Sequence, residues 1–231
     1  MTAAATAGAI GAREVVLLRT GIANLASVSA AFERLGARVT VTSSPEVARA
    51  ASHLVLPGVG AFGAGMAALR EHGLDQVLRE RAAADRPLAA VCLGLQLLCD
   101  ASEESPGVAG LGIVPGTVRR FVAPAGARLR IPQLGWNQVR VANASQAAAP
   151  RFLADGYAYY ANSFRLGEVA REERGALARD DRPPDWSVAH SDYGGTFVGA
   201  MEKGSLLACQ FHPELSGPWG QALLGRWLEV A

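Results

Sequence analysis

Three short stretches of the chain carry residue types that do covalent chemistry. The first is Ala90-Val91-Cys92-Leu93-Gly94, where an apolar strand pattern turns straight into a helical one. The central residue of such an elbow stands at the top of a sheet, open to a reactant. A helix N-terminus favours the thiolate of a cysteine placed there, because partly positive N–H groups face the sulfur, and the thiolate is the form that attacks carbonyl carbon. On the elbow alone, Cys92 reads equally as a nucleophile or as one more small core residue.

The second stretch is Gln210-Phe211-His212-Pro213-Glu214. An imidazole supplies a base for a thiol, and a carboxylate two residues away can hold the ring in the tautomer that faces the sulfur. An extended backbone would set His212 and Glu214 on one side, with Pro213 stiffening the pair. His53, His72 and His190 lack such a neighbour and read as structural. Only Glu214 could join His212 on a metal, so no metal is expected. Cys99 and Cys209 have no comparable placement and read as packing thiols.

The third stretch, Gly58-Val59-Gly60-Ala61-Phe62-Gly63, spells G-x-G-x-x-G between a strand and a helix, the setting of a dinucleotide fingerprint. That fingerprint also needs an acidic residue at the end of the next strand, and the next strand, 88–92, ends in a thiol. No cofactor is therefore expected. The loop could instead cradle an oxyanion with its N–H groups, or simply make a tight turn.

The elements that must position these residues alternate at first. Strand patterns at 14–20, 38–42, 53–56 and 88–92 are separated by helical patterns. Asn24 starts one ended by Gly36, Ser44-Pro45 starts another, and others cover 65–72, 74–84 and 95–102. Such alternation predicts a parallel sheet covered on both faces. From Val118 to Gln210 turns replace the helices, with strands at 128–141 and 157–164 and a hairpin of 196–201 with 205–210. A helix over 221–230 closes the chain. The fold class is therefore α/β, a mostly parallel central sheet with flanking helices plus an antiparallel, strand-rich C-terminal half. Residues 1–13 read as a disordered tail and 14–231 as one domain.

The chain has 231 residues, of which 50% are hydrophobic and 19% charged, with a net charge of +1. A nucleic-acid or membrane surface is not expected from that balance. The longest apolar run is interrupted by Gln96 and is too short to span a bilayer. Three cysteines in a chain this long fit free thiols in a reducing compartment, hence a cytoplasmic location.

Together the motifs resemble the class I glutamine amidotransferases, whose hallmarks are an elbow cysteine in C-L-G-x-Q and a distant H-P-E. Here they stand as Cys92-Leu93-Gly94-Leu95-Gln96 and His212-Pro213-Glu214, about 120 residues apart. Four further segments narrow the resemblance to the glutaminase subunits of imidazole glycerol phosphate synthase: Asn24 to Val28, Pro57 to Gly63, Pro106 to Gly112, and Gly135-Trp136-Asn137. It covers the chain from about Glu14 to the last helix.

The resemblance implies that Cys92 attacks the glutamine side-chain amide, that His212 relays protons and that Glu214 orients His212. N–H groups of Gly58, Val59, Gly60 and Leu93 would bind the oxyanion, and Gln96 with the backbone of Ser163 and Phe164 would hold glutamine. Ammonia would pass to a barrel-fold cyclase subunit in a heterodimer that makes imidazole glycerol phosphate and aminoimidazole carboxamide ribotide in histidine biosynthesis. Asn24 and Trp136 match positions facing that partner, whereas Trp186, Trp219 and Trp227 read as structural. The isolated chain would be nearly inactive, its glycine loop becoming competent only in the complex.

The chain departs from the family pattern at four places. Ala90 replaces a glycine, Arg19-Thr20 an Asp-Tyr pair, Phe164 a tyrosine, and Leu215 a lysine. The alternatives are a class I glutaminase subunit serving another ammonia-using synthase, and a non-catalytic scaffold of the same fold.

Overall fold

The computed structural model describes residues 13–19, 24–126, 128–142, 150–167 and 186–230. Residues 1–12 of the expected 1–13 tail, and Thr20 with its departure from the family pattern, lie outside the described residues, whereas Arg13 is described and its carbonyl accepts from Arg38 N–H.

The chain opens with β1 (Glu14–Leu18), α1 (Leu25–Arg34), β2 (Arg38–Thr42), α2 (Pro45–Ala50) and β3 (His53–Gly58). The side chain of Asn24 accepts from Ser27 N–H at the start of α1, and that of Ser44 does the same for Val47 at the start of α2. Next come α3 (Phe62–Glu71), α4 (Leu74–Ala83), β4 (Leu88–Cys92) and α5 (Leu93–Leu98). The helix expected over 95–102 starts earlier and stops sooner. Cys99 turns extended, and N–H groups of Leu111, Ile113 and Val114 take the carbonyls of Leu97 and Leu98 that would have continued the helix. Ala101–Ser102 then forms β5, which pairs in parallel with β6 (Thr117–Arg120).

In the second half the strands are β7 (Gln133–Val141), β8 (Gly156–Asn162), β9 (Phe164–Leu166), β10 (Ser187–Asp192), β11 (Thr196–Lys203) and β12 (Leu206–Cys209). β7 starts five residues later than expected, just past Pro132, which has no N–H for the ladder. The single strand expected at 157–164 is two strands. At Ser163 the chain leaves the large sheet, its carbonyl taken by Phe121 N–H, and β9 joins β6 in a small second sheet. A 3-10 turn, Pro213–Leu215, leads into α6 (Gly217–Leu228), which begins four residues before the expected helix because Pro218 fits its first turn.

The large sheet has nine strands in the order β2-β1-β3-β4-β12-β11-β10-β7-β8. It is parallel from β2 to β12 and antiparallel from β12 onward. Side chains alternate between two cores. Val16, Leu18, Leu54, Leu56, Leu88, Ala90, Leu206 and Ala208 face α3, α4 and α5; Val15, Leu17, Val55, Ala89, Leu207 and Cys209 face α1 and α6. Cys99 and Cys209 are fully within these cores, where burial pushes both thiols up, and all three cysteines are free. No described helix is long and apolar enough to cross a membrane.

Candidate active site

The C-terminal ends of β3, β4 and β12 lie side by side, the place where open α/β sheets receive ligands. Gly58 stands opposite Cys92 in the β3–β4 ladder, so the glycine loop begins beside the elbow. On the other flank Cys209 pairs with Val91, and three residues later the chain reaches His212.

Cys92 has φ +55° and ψ −110°, a conformation that L residues rarely adopt. Held strain of this kind costs about 1–3 kcal/mol and persists where the surroundings over-determine it. Packing imposes it here. A Cβ on Gly94 would sit 2.1 Å from the Leu56 carbonyl oxygen, so only glycine lets the helix start this close to β3. Ala90, in place of the family's glycine, fits in the core at 1% exposure. Because Cys92 caps α5, the N–H groups of the first turn, that of Leu93 foremost, have no partner within the helix.

His212 Nδ1 meets Glu214 Oε1 at 2.8 Å, with the two side chains 8% and 3% exposed. The contact does not come from an extended segment, as the spacing suggested; the 3-10 turn at Pro213–Leu215 folds the carboxylate back under the ring. Burial acts against a charged imidazole, but hydrogen bonds from the ring to the Cys92 sulfur and to Glu214, with their charges, outweigh it and raise His212 to about 10. The ring therefore lies between Cys92 and Glu214, an environment that favours its charged form. His212 N–H also donates to Tyr159 O, and Ser216 Oγ donates to His212 O, which ties the residue to β8 and to the turn before α6.

Gln96 is buried rather than on the helix surface, with Nε2 donating to Phe164 O at 3.1 Å and to Gln210 Oε1 at 3.0 Å. Of the two backbone groups expected beside glutamine, the Phe164 carbonyl is brought to Gln96, while the Ser163 carbonyl accepts from Phe121 N–H. In the glycine loop Val59 is half-buried and Gly60 exposed, with Gly60 at φ +107° and open space where a Cβ would lie. Two residues that the motifs did not single out hold the far end of this loop. Glu104 Oε2 accepts from Phe62 N–H at 2.7 Å and Ser105 Oγ from Gly63 N–H at 2.9 Å. They cap α3 from a distance because Ala61, at its N-cap, cannot. Their neighbours Pro106-Gly107, a turn signal, were the available hint.

Asn24 is exposed and its side chain is engaged in capping α1. Trp136 is 60% exposed on β7, beside Leu134 at 65%, and its ring meets that of Tyr159 edge-on. Tyr159 bridges to His212, so this apolar patch lies one strand from that imidazole. Leu215 is exposed just beyond Glu214. Trp227 is buried at the α1–α6 face and Trp219 donates to Asp155 O, structural places for both, and Trp186 is half-buried. No group of three or more His, Cys, Asp or Glu suited to a metal occurs among the described residues.

The profile of the family "Glutamine amidotransferase class-I" matches residues 17–230. The chain belongs to the class I glutamine amidotransferases, among the HisH subunits of imidazole glycerol phosphate synthase. The HisH subunit of Symbiobacterium thermophilum is 38% identical over 216 residues, 92% of each chain. That of Mycolicibacterium paratuberculosis is 40% identical over 219 residues, 94% of this chain and 98% of that one. The chloroplastic imidazole glycerol phosphate synthase hisHF of Arabidopsis thaliana is 36% identical over 214 residues; the match spans 93% of this chain and 34% of that protein. A crystal structure of a glutamine amidotransferase superposes with a TM-score of 0.66 at 20% identity, covering 93% of this chain and 97% of that one. The fold class read from the sequence is therefore correct.

Proposed function

We propose that this HisH-family chain hydrolyses glutamine with Cys92, His212 and Glu214 and delivers the ammonia to a barrel-fold cyclase subunit, in the synthase step of histidine biosynthesis that yields imidazole glycerol phosphate and aminoimidazole carboxamide ribotide. One arrangement carries the chemistry: a strained elbow cysteine with an imidazole beside it that is itself held at 2.8 Å by a buried carboxylate. The thiolate attacks the glutamine amide carbon, forming a C–S bond. His212 gives its proton to the departing nitrogen as the C–N bond breaks, then takes one from the water that opens the thioester, and glutamate leaves with the thiol restored.

N–H groups of Gly58, Val59, Gly60 and Leu93 stabilise the oxyanion, and Gln96 with the Ser163–Phe164 backbone orients the substrate. The partner docks over Trp136 and Leu134, an exposed apolar pair adjoining the base, with Asn24 at its margin. Leu215, lacking the family's lysine charge, makes an apolar contact in that interface. The domain runs from 14 to 231, and three unpaired cysteines favour a reducing, cytoplasmic setting. This reading invokes no cofactor, nucleic acid or membrane.

The test is glutaminase turnover by the chain alone and with the cyclase of its own organism plus ribotide ligand. Activity is expected to be low alone and to rise in the complex. Cys92→Ala is expected to abolish glutamine hydrolysis while leaving assembly and the ammonia-driven cyclase reaction intact. Loss of the ammonia-driven reaction by an assembled Cys92→Ala complex would refute the division of labour.

A further inference from the structure

Gln210 ends the run after β12 and is completely buried, with its backbone N–H on Gly199 O. It lies two residues before His212, and where His212 approaches the sulfur of Cys92 from one side, Gln210 Nε2 approaches it at 3.8 Å. The orientation of its amide follows from a chain of hydrogen bonds. The Phe164 carbonyl can only accept, so Gln96 must turn its NH2 group toward it, at 3.1 Å. The same NH2 reaches Gln210 at 3.0 Å, so Gln210 must present oxygen to Gln96. Its own NH2 is then left facing Cys92. Reversing Gln96 would set oxygen against oxygen, and reversing Gln210 would set NH2 against NH2, in a buried site.

We propose that Gln210 is a catalytic residue, its amide N–H serving as a second donor to the Cys92 thiolate, aimed by Gln96 and the Phe164 carbonyl. The proposal rests on the reading of Cys92 as the nucleophile. A thiolate is acceptor-only, whereas a thiol is a weak acceptor, so a fixed N–H pointed at sulfur selects the charged form. The relay also connects the sulfur to Gln96, the residue placed beside the substrate, so a glutamine that pulls on Gln96 also acts on the donor at the nucleophile.

The test is the alkylation rate of Cys92 by iodoacetamide at neutral pH in the full-length chain, located by mass spectrometry. Cys99 and Cys209 serve as silent internal controls, since both are buried and held in the thiol form. Gln210→Met keeps the volume and removes both the donor and the acceptor; Gln210→Glu keeps the acceptor for Gln96 and puts a carboxylate beside the sulfur. Loss of one hydrogen bond to a charged group predicts a roughly 10- to 100-fold slower alkylation for Gln210→Met. Gln210→Glu is expected to be slower still, and Gln96→Met, which only releases the aim, two- to threefold slower. A purely structural glutamine would change thermal stability without moving the alkylation rate of the folded variants, and that result overturns the proposal. Should Gln210→Met fail to fold, Gln210→Glu decides in the same way. Absence of labelling at Cys92 in the wild type would overturn the nucleophile assignment itself, an outcome separate from equal labelling of wild type and variants.

Discussion

Replacing Glu214 by glutamine removes a charge from beside the His212 ring while keeping the side chain's shape. The carboxylate, 2.8 Å from Nδ1 and nearly inaccessible, favours the charged ring. A hydrogen bond to a charged group contributes about 1.5–3 kcal/mol and a neutral one about 0.5–1.5, so Glu214→Gln withdraws roughly 1–1.5 kcal/mol from the imidazolium. At 1.36 kcal/mol for each tenfold change, that is about one pH unit in the titration of the ring. The sign for pH follows from His212, which the sulfur and the carboxylate hold at about 10 against burial. The charged ring persists through neutral pH and is lost as pH rises through that value, so the variant should lose it roughly one pH unit earlier. The measurement is kcat against pH in the complex with the cyclase, which reports the ring. Expected are a kcat lowered by roughly ten- to a hundredfold with KM little changed, and an alkaline limb displaced downward by about one pH unit. A folded, partner-bound Glu214→Gln with unchanged kcat and an unmoved alkaline limb would show that the carboxylate only fills space.

Gly94→Ala should prevent folding or destabilise by at least about 3 kcal/mol in a urea titration, because its Cβ would press on the backbone carbonyl of Leu56 at 2.1 Å rather than on a yielding side chain. Trp136→Ala should leave thermal unfolding of the isolated chain unchanged and weaken binding of the cyclase at least tenfold by titration calorimetry, about 1.4 kcal/mol. Glu202→Ala should lower unfolding free energy by about 2–4 kcal/mol, since the buried carboxylate accepts from the N–H groups of Arg151, Phe152 and Leu153. Burial lowers His53 below the ordinary 6.5, partly countered by its hydrogen bond to Val230 O. The unfolded chain therefore takes up that proton first, so the contribution of His53 is complete above pH 6.5 and is lost as pH falls through the folded-state value. His53→Gln should flatten the acid side of the stability profile measured by urea titration from pH 7 to 5.

Elements that carry their own boundary chemistry were legible. Asn24 and Ser44 cap α1 and α2 as their side chains require, and β2 and β4 run over the residues their patterns mark. Elements decided by distant groups were not. The end of α5 is set by N–H groups of a loop more than ten residues downstream, and the split between β8 and β9 by Phe121. β10 escaped notice because Ser187-Val188-Ala189-His190-Ser191-Asp192 has little β-branched or aromatic content, and becomes a strand through pairing with β11 and β7.

The site shows the same division at closer range. Residue types and the family resemblance marked Cys92, His212 and Glu214 as candidates, because few other combinations give a thiol a base and the base an anchor. Spacing misjudged the route, since a two-residue interval was read as strand alternation and is in fact a 3-10 turn. The alternation does hold one step earlier, between Gln210 and His212, both of which reach Cys92. That their strand lies against β4 at all depends on β12 entering the sheet next to it in parallel, with Cys209 opposite Val91. A local pattern cannot specify that neighbour, because the pairing joins segments more than a hundred residues apart. Once it forms, a shift of one residue in register would exchange the two cores, moving Leu207 and Cys209 to the side of Leu206 and Ala208. The burial that stabilises the sheet thus also sets the distance between thiol and imidazole, and register-shifting changes in β12 should abolish activity and stability together.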